Sequence, residues 1–344
     1  MNLKYIPVRE ALSMVGRTPW SAADAPVGFC AQEQEAGQGA GCRPGGPPHQ
    51  NTGMIQRRKL LQSAAGLLAV SAAGAPPPGK RPLSRRLSVM IGGYFGRNVP
   101  LEEKLKKLAS INYPAVEGVT WKDQDLGAIK AQIEAAHLEL AQIGGSISLT
   151  GPEGSMVDPK QRPRMLEYLA TAIDAAQKLG TKTLLVLTGN VLPDRSLEDQ
   201  HRSIVDGMKE ARKLAEPAGI TLIIELLNTL VNHPGYYLNS VEKGARVVDE
   251  VGSPNVKLLN DLYHMQIMEG NLIANLRKYI DRIGHFHVAD VPGRHQPGTG
   301  EINYRNVLAA IADTKYEGYV AMEYGPTIDP LESLKQIQKM VADL

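Results

Sequence analysis

Residues Val256–Asp290 read VKLLNDLYHMQIMEGNLIANLRKYIDRIGHFHVAD. Two short apolar runs, Val256–Asp261 and Gly284–Ala289, flank a longer segment, Gln266–Ile280, whose apolar residues recur at three- and four-residue spacing. A near-continuous apolar run suits a strand buried on both faces, whereas the helical period suits a helix with one buried stripe. A strand, a helix and a second strand in so short a stretch make a crossover unit with parallel strands.

The same alternation extends outward through the chain. Earlier strands are expected at Leu87–Gly93, Ala115–Val119, Leu138–Gly144, Thr183–Leu187 and Thr221–Leu226, and a last one at Gly318–Glu323. Helical patterns fall between them at Leu101–Ile111, Leu126–Ala136, Pro163–Leu179, Leu197–Ala218, Ser240–Glu250, Tyr304–Asp313 and Leu331–Leu344. Eight strand–helix repeats between Leu87 and Leu344 predict an α/β fold, a (β/α)8 TIM barrel. A doubly wound open sheet would show a glycine-rich dinucleotide turn after the first strand, and Gly92-Gly93-Tyr94-Phe95-Gly96 lacks that pattern.

The chain before residue 87 reads differently. Residues 1–53 have no sustained period and are rich in Gly, Pro, Ala and Gln, which predicts a disordered extension. From Met54 the sequence MIQRRKLLQSAAGLLAVSAAGAPPP joins Arg57-Arg58, an apolar stretch from Leu60 to Val70, and small residues at Ala73-Gly74-Ala75. That order matches a twin-arginine export signal over 54–75, cleaved after Ala75, with 76–86 as a linker. The apolar stretch is diluted by Gln62, Ser63 and Gly66 and is too short for a bilayer span. Met54 is an alternative start that would leave 1–53 untranslated. The expected location is the periplasm, or the cytoplasm if the signal goes unused.

Charge divides at the same boundary. Residues 1–86 hold 11 Lys/Arg and 4 Asp/Glu, which leaves 27 basic and 32 acidic residues for the barrel. A net-acidic body lacks the basic surface with which proteins replace the counterions of nucleic acid. Both cysteines, Cys30 and Cys42, lie in the extension. The barrel therefore has no thiolate ligand or cysteine nucleophile, and any metal there must be held by carboxylates and histidines.

Chemistry in such barrels sits at the C-terminal ends of the strands. Four polar residues stand there on consecutive strands: Glu225 in Thr-Leu-Ile-Ile-Glu, Asp261 in Leu-Leu-Asn-Asp, His287 in His-Phe-His-Val, and Glu323 in Val-Ala-Met-Glu. Any one of them alone would fit a structural ion pair. Together they point into one small volume, where three carboxylates repel unless a cation offsets them. Mn²⁺, Mg²⁺ or Co²⁺ suits this donor set, and Zn²⁺ suits it less exclusively.

The whole body resembles the hydroxypyruvate isomerase branch of the xylose-isomerase-like barrels. The resemblance is densest in Asp261-Leu262-Tyr263-His264-Met265-Gln266 and in HVADVPGRHQPGTGEINY, His287–Tyr304. It places the family's metal ligands on Glu225, Asp261, His287 and Glu323, and its paired catalytic acids on Glu225 and Glu323. Gln296 stands where the family usually has glutamate, His287 where some members have glutamine, and Leu226-Leu227 replaces a proline-containing step. The loops Gly118–Trp121 and Ser148–Met156 depart from the best-known enzyme of this activity, so the chemistry is better marked than the substrate.

The resemblance implies an aldose–ketose type shift, hydroxypyruvate to 2-hydroxy-3-oxopropanoate, through an enediolate. Two carboxylates would exchange acid and base roles while a metal steadies the oxyanion. His264 is expected to donate to a substrate oxygen, against the alternative of a helix-start residue. Arg294 is expected to clamp a substrate carboxylate, against that of a surface arginine. His285 shares the face of His287 as a partner or as packing. Glu301 supports its loop or caps the next helix, and His233 and His295 lie in loops without an assigned role. A ketose 3-epimerase would use the same donors. A multi-zinc phosphodiesterase like endonuclease IV would need histidines at the ends of the first four strands, which have none. A non-catalytic exported sugar-binding barrel would not need both Glu225 and Glu323. The expected partner is a small hydroxy-carbonyl or sugar molecule, with no nucleic acid and no stable membrane span, and a homo-oligomer is compatible with this reading.

Overall fold

The computed structural model describes residues 79–96, 98–148 and 151–344. The extension 1–53 and the export signal 54–75 lie outside these residues. The strands are β1 (Leu87–Val89), β2 (Ala115–Val116), β3 (Glu139–Leu140), β4 (Ile143–Gly144), β5 (Thr183–Val186), β6 (Thr221–Glu225), β7 (Val256–Asp261), β8 (Ile283–Val288) and β9 (Val320–Met322). The helices are α1 (Ile91–Tyr94), α2 (Leu101–Ser110), α3 (Leu126–Ala135), α4 (Arg162–Leu179), α5 (Leu197–Ala215), α6 (Val241–Val251), α7 (Leu262–Met268), α8 (Leu272–Tyr279), α9 (Tyr304–Ala312) and α10 (Pro330–Met340).

Every strand pairing is parallel, and one sheet runs β1-β9-β8-β7-β6-β5-β4. The circle closes through Glu117, which follows β2 and bridges Met90 beyond β1, and through the β2–β3 pair. The expected strand Leu138–Gly144 supplies both β3, paired with β2, and β4, paired with β5, so nine short strands fill eight barrel positions. The (β/α)8 barrel is thus the observed fold.

Helix positions follow from caps and stripes. In α5, Ser196 Oγ accepts from the Asp199 N–H at 3.0 Å. Its buried Ile204, Met208, Ala211 and Ala215 recur at helical spacing against the barrel. Three expectations shift. The first strand ends at Val89 rather than Gly93, because Ile91–Tyr94 turns into α1. The expected helix Gln266–Ile280 is two helices, α7 and α8. They part at Gly270 and Asn271, both with positive φ (61° and 48°) that a continuous helix does not contain. The segment 76–86, expected as a linker, is packed from Lys80 onward. Lys80 Nζ donates to Ala312 O at 2.8 Å, Leu83 N–H donates to Leu344 O at 2.9 Å, and Leu83 is fully buried.

Candidate active site

The four residues expected at the strand ends meet. Glu225 ends β6, Asp261 ends β7, His287 lies in β8 opposite Asp261, and Glu323 follows β9 with its N–H donating to Val288 O at 3.0 Å. One donor atom from each lies within 4.8 Å of all the others. Nδ1 of His287 faces the carboxylates, 2.7 Å from Glu323 Oε2, 3.5 Å from Glu225 Oε1 and 3.9 Å from Asp261 Oδ2. Neither His287 Nδ1 nor Glu323 Oε2 is aligned with a hydrogen-bond partner, although both are buried. One imidazole nitrogen and three carboxylate oxygens in that state fit a divalent cation.

The site's charges are strongly coupled. Burial lifts the Glu225 carboxyl to about 7, with Glu323 and Asp261 adding to the rise. Burial opposes the charge of Glu323 as well, but His287 and Arg294 outweigh it and hold that carboxyl at about 2. His287 is raised well above the ordinary histidine range, the carboxylates around it overcoming its burial. Two carboxyl groups of one type thus differ by environment alone.

Glu117 is the residue that the strand-end reading missed. It follows β2, is fully buried, and accepts four hydrogen bonds. Oε1 takes His287 Nε2 at 2.8 Å and Gln142 Nε2 at 3.1 Å; Oε2 takes Ser88 Oγ at 2.5 Å and His285 Nε2 at 2.9 Å. Its burial works against ionisation, yet His285 and His287 hold its pKa well below the usual carboxylate range. Glu117, His285 and His287 are close enough to resemble a second metal group, but both imidazole nitrogens that face Glu117 are already bonded to it. The trio is therefore a hydrogen-bonded support behind His287. His285, read as partner or packing, is a partner of Glu117.

His264 sits in the first turn of α7, whose N-cap is Asp261. Asp261 Oδ1 accepts from the Tyr263 and His264 N–H groups at 2.8 and 3.1 Å. The ring is fully buried, its Nε2 lies 3.5 Å from Asp261 Oδ2, and burial drives its pKa down to about 4. Arg294 reaches the same centre, with Nη2 2.8 Å from Glu323 Oε2 and 3.6 Å from Asp261 Oδ2 and its guanidinium over the Tyr263 ring. It is no free surface arginine.

Arg294 adopts φ +57° in a loop organised by Asp290, whose carboxylate accepts backbone N–H bonds from Val291, Gly298, Gly300 and Ile302. Gly325 N–H donates to Arg294 O at 3.0 Å, and Gln296 exchanges two hydrogen bonds with Thr327, which tie this loop to the one after β9. Glu301 accepts from Gln266 Nε2 at 3.1 Å, whereas Asn303 caps α9, so Glu301 supports the loop and is not the cap. His233 packs its ring against His264, and His295 Nδ1 lies 2.7 Å from Gly325 O.

Fold and site define a (β/α)8 barrel with an acidic, histidine-containing centre at the C-terminal ends of its strands. Residues 105–343 match the Xylose isomerase-like TIM barrel family, and the chain belongs to it. Hydroxypyruvate isomerase of Escherichia coli (strain K12) is 31% identical over 245 residues, covering 71% of this chain and 93% of its own. 2-Oxo-tetronate isomerase of Cupriavidus necator is 28% identical over 226 residues, covering 65% of this chain and 86% of its own. A crystal structure titled AP endonuclease, family 2, from Brucella melitensis superposes with a TM-score of 0.66 at 24% identity, covering 75% of this chain and 99% of its own. That last likeness concerns the fold alone. Within the family this protein is a sugar-type isomerase of the hydroxypyruvate isomerase kind.

Proposed function

We propose that the protein is a divalent-metal-dependent isomerase that interconverts hydroxypyruvate and 2-hydroxy-3-oxopropanoate through an enediolate. The observation that carries this reading is the cluster of Glu225, Asp261, His287 and Glu323, with Arg294 beside it. These four residues would hold Mn²⁺, Mg²⁺, Co²⁺ or Zn²⁺, and such an ion supplies polarisation of the substrate oxygens and compensation of their negative charge. Glu225 and Glu323 move the carbon-bound proton: one takes it from C3 and the other returns a proton to C2. The hydroxyl proton passes from O3 to O2, so the atoms balance. His264 donates to a substrate oxygen, and Arg294 orients the substrate carboxylate.

A carboxylated substrate is favoured over a neutral ketose by Arg294 and by relatives named for hydroxypyruvate and 2-oxo-tetronate. The test is solvent-deuterium incorporation, followed by NMR, into hydroxypyruvate and a panel of ketoses with each metal in turn. Metal-dependent exchange that disappears in Glu225→Gln and Glu323→Gln supports the reading. Exchange confined to neutral ketoses moves it to a 3-epimerase, and no exchange in folded, metal-loaded protein leaves a binding role. Export through residues 54–75 belongs to the same proposal. Replacing Arg57 and Arg58 by lysine would then retain the protein in the cytoplasm, and unchanged periplasmic recovery on fractionation would refute it.

A further inference from the structure

We propose that Asn228 is a positioning residue: it fixes the tautomer of His264 so that Nε2 carries the ring proton and presents it to a substrate oxygen. The identity of that acceptor rests on the isomerase reading; the tautomer does not.

Asn228 lies three residues beyond Glu225 and is fully buried. Every hydrogen-bonding position of its amide is used. Oδ1 accepts from the Val231 N–H at 3.0 Å and the Asn232 N–H at 2.9 Å. Nδ2 donates to Asn232 Oδ1 at 2.8 Å and faces His264 Nδ1 at 2.6 Å. A side-chain amide can often be turned over without changing its shape. Here it cannot, because the two groups on Oδ1 are backbone N–H donors and would confront an NH₂. His264 Nδ1 therefore meets a donor and must offer its lone pair, which leaves the proton of the neutral ring on Nε2.

Nε2 is the atom aimed into the site. It is buried, it has no aligned hydrogen-bond partner, and Asp261 Oδ2 is 3.5 Å away. The ring is held edge-on by His233 and Tyr263, each with its centroid at 5.2 Å. A fixed N–H at a buried position stabilises an oxygen that gains negative charge during proton transfer, without reorganising as the charge forms. The contrast with His287 is chemical. There a carboxylate, Glu117, receives Nε2–H and leaves Nδ1 toward the acids. Both rings carry the proton on Nε2 but turn opposite nitrogens to the site. The amide behind His264 takes up Nδ1 and leaves Nε2–H facing inward, while the carboxylate behind His287 takes up Nε2–H and leaves a bare Nδ1 there, which makes one imidazole a donor and the other a ligand.

The deciding experiment is a long-range ¹H–¹⁵N correlation spectrum of the full chain with ¹⁵N-labelled histidine and Mg²⁺ at neutral pH. The chain has 8 histidines, and the His264 signals are those lost in His264→Asn. The expected result is an Nε2–H ring with an unprotonated Nδ1; an Nδ1–H ring or an imidazolium overturns the proposal. In Asn228→Asp a carboxylate oxygen replaces the amide nitrogen, so the His264 ring proton is expected to move from Nε2 to Nδ1 and turnover of hydroxypyruvate to fall about 10²-fold. An Asn228→Asp protein that is less stable but keeps the Nε2–H tautomer reduces Asn228 to a turn residue and refutes the idea. If that variant does not fold, the spectrum of the unmodified protein decides alone. If the unmodified protein leaves hydroxypyruvate untouched, the substrate reading fails while the tautomer is still read directly.

Discussion

Replacing Glu117 by glutamine tests whether the His287 imidazole, which faces the acid cluster, is held from behind. Glutamine keeps the shape of the side chain but turns one acceptor oxygen into a donor. If the new NH₂ faces His287 and Gln142, the Gln142 amide, whose Oε1 has no partner, can turn over to accept, but His287 cannot accept through Nε2 while Nδ1 serves as a ligand. If it faces the other way it meets His285 and Ser88, of which only the serine can turn to accept. The second orientation is the better one, so His287 keeps an acceptor but loses the charge on it. A hydrogen bond to a charged group contributes roughly 1.5–3 kcal/mol and a neutral one roughly 0.5–1.5, a difference of about 1–2 kcal/mol. If that difference is transmitted to ligand strength, metal affinity falls about 5–30-fold. The strained donor pair on the His285 side lowers stability by about 1–3 kcal/mol. Calorimetric titration of Mn²⁺ into metal-free Glu117→Gln and into the unmodified protein measures the first effect, and thermal melts measure the second. A variant that melts earlier yet binds Mn²⁺ unchanged would show Glu117 to be a core polar residue with no hold on the site.

Three further outcomes follow from the same geometry. In the metal-free protein burial, aided by Glu323 and Asp261, lifts Glu225 from 4.5 to about 7. A raised folded pKa contributes stability that is complete below about pH 4.5 and lost as pH rises through about 7. A bound cation must displace that proton, so Mn²⁺ affinity near pH 6 should be about tenfold below its plateau near pH 8, and a flat profile from titration calorimetry contradicts the assignment. Arg294→Met should raise KM for hydroxypyruvate by about 10–100-fold, more than for a neutral ketose, by loss of a charge-assisted contact. An equal loss on both substrates in steady-state kinetics would mean that Arg294 serves Glu323 rather than a carboxylate. Gly300→Ala would place a Cβ 2.1 Å from Val291 O and 2.7 Å from Asp290 Oδ1. The loop must then move off Asp290, with stability falling by at least about 1–3 kcal/mol, and an unchanged Tm would refute the close approach.

Much of the acid cluster was legible because burying a carboxylate is so unfavourable that one ending an apolar run stands out. Glu225 and Glu323 interrupt runs of this kind, and barrel closure then brings the ends of neighbouring strands together. Glu117 is a carboxylate of the same kind, inside the expected strand Ala115–Val119. Its strand, however, has only two paired residues, Ala115 and Val116, and Gly118 follows at once, so the apolar run is too brief to draw attention. The break at Gly270-Asn271 was likewise written locally and hidden by an apolar period that continues across it.

Asp290 and Asn228 are a different case, since Asp and Asn are ordinary in loops and their use depends on which backbone N–H groups a turn brings round. The same limit applies to the histidines. Residue type marks His264 and His287 as able to bind, but not which ring nitrogen faces the site. That is decided by a partner 36 residues away for His264 and 170 residues away for His287. Two histidines equivalent in sequence terms, and alike in tautomer, turn opposite ring nitrogens to the site, because the nitrogen that faces inward is set by contacts between elements rather than by any local pattern.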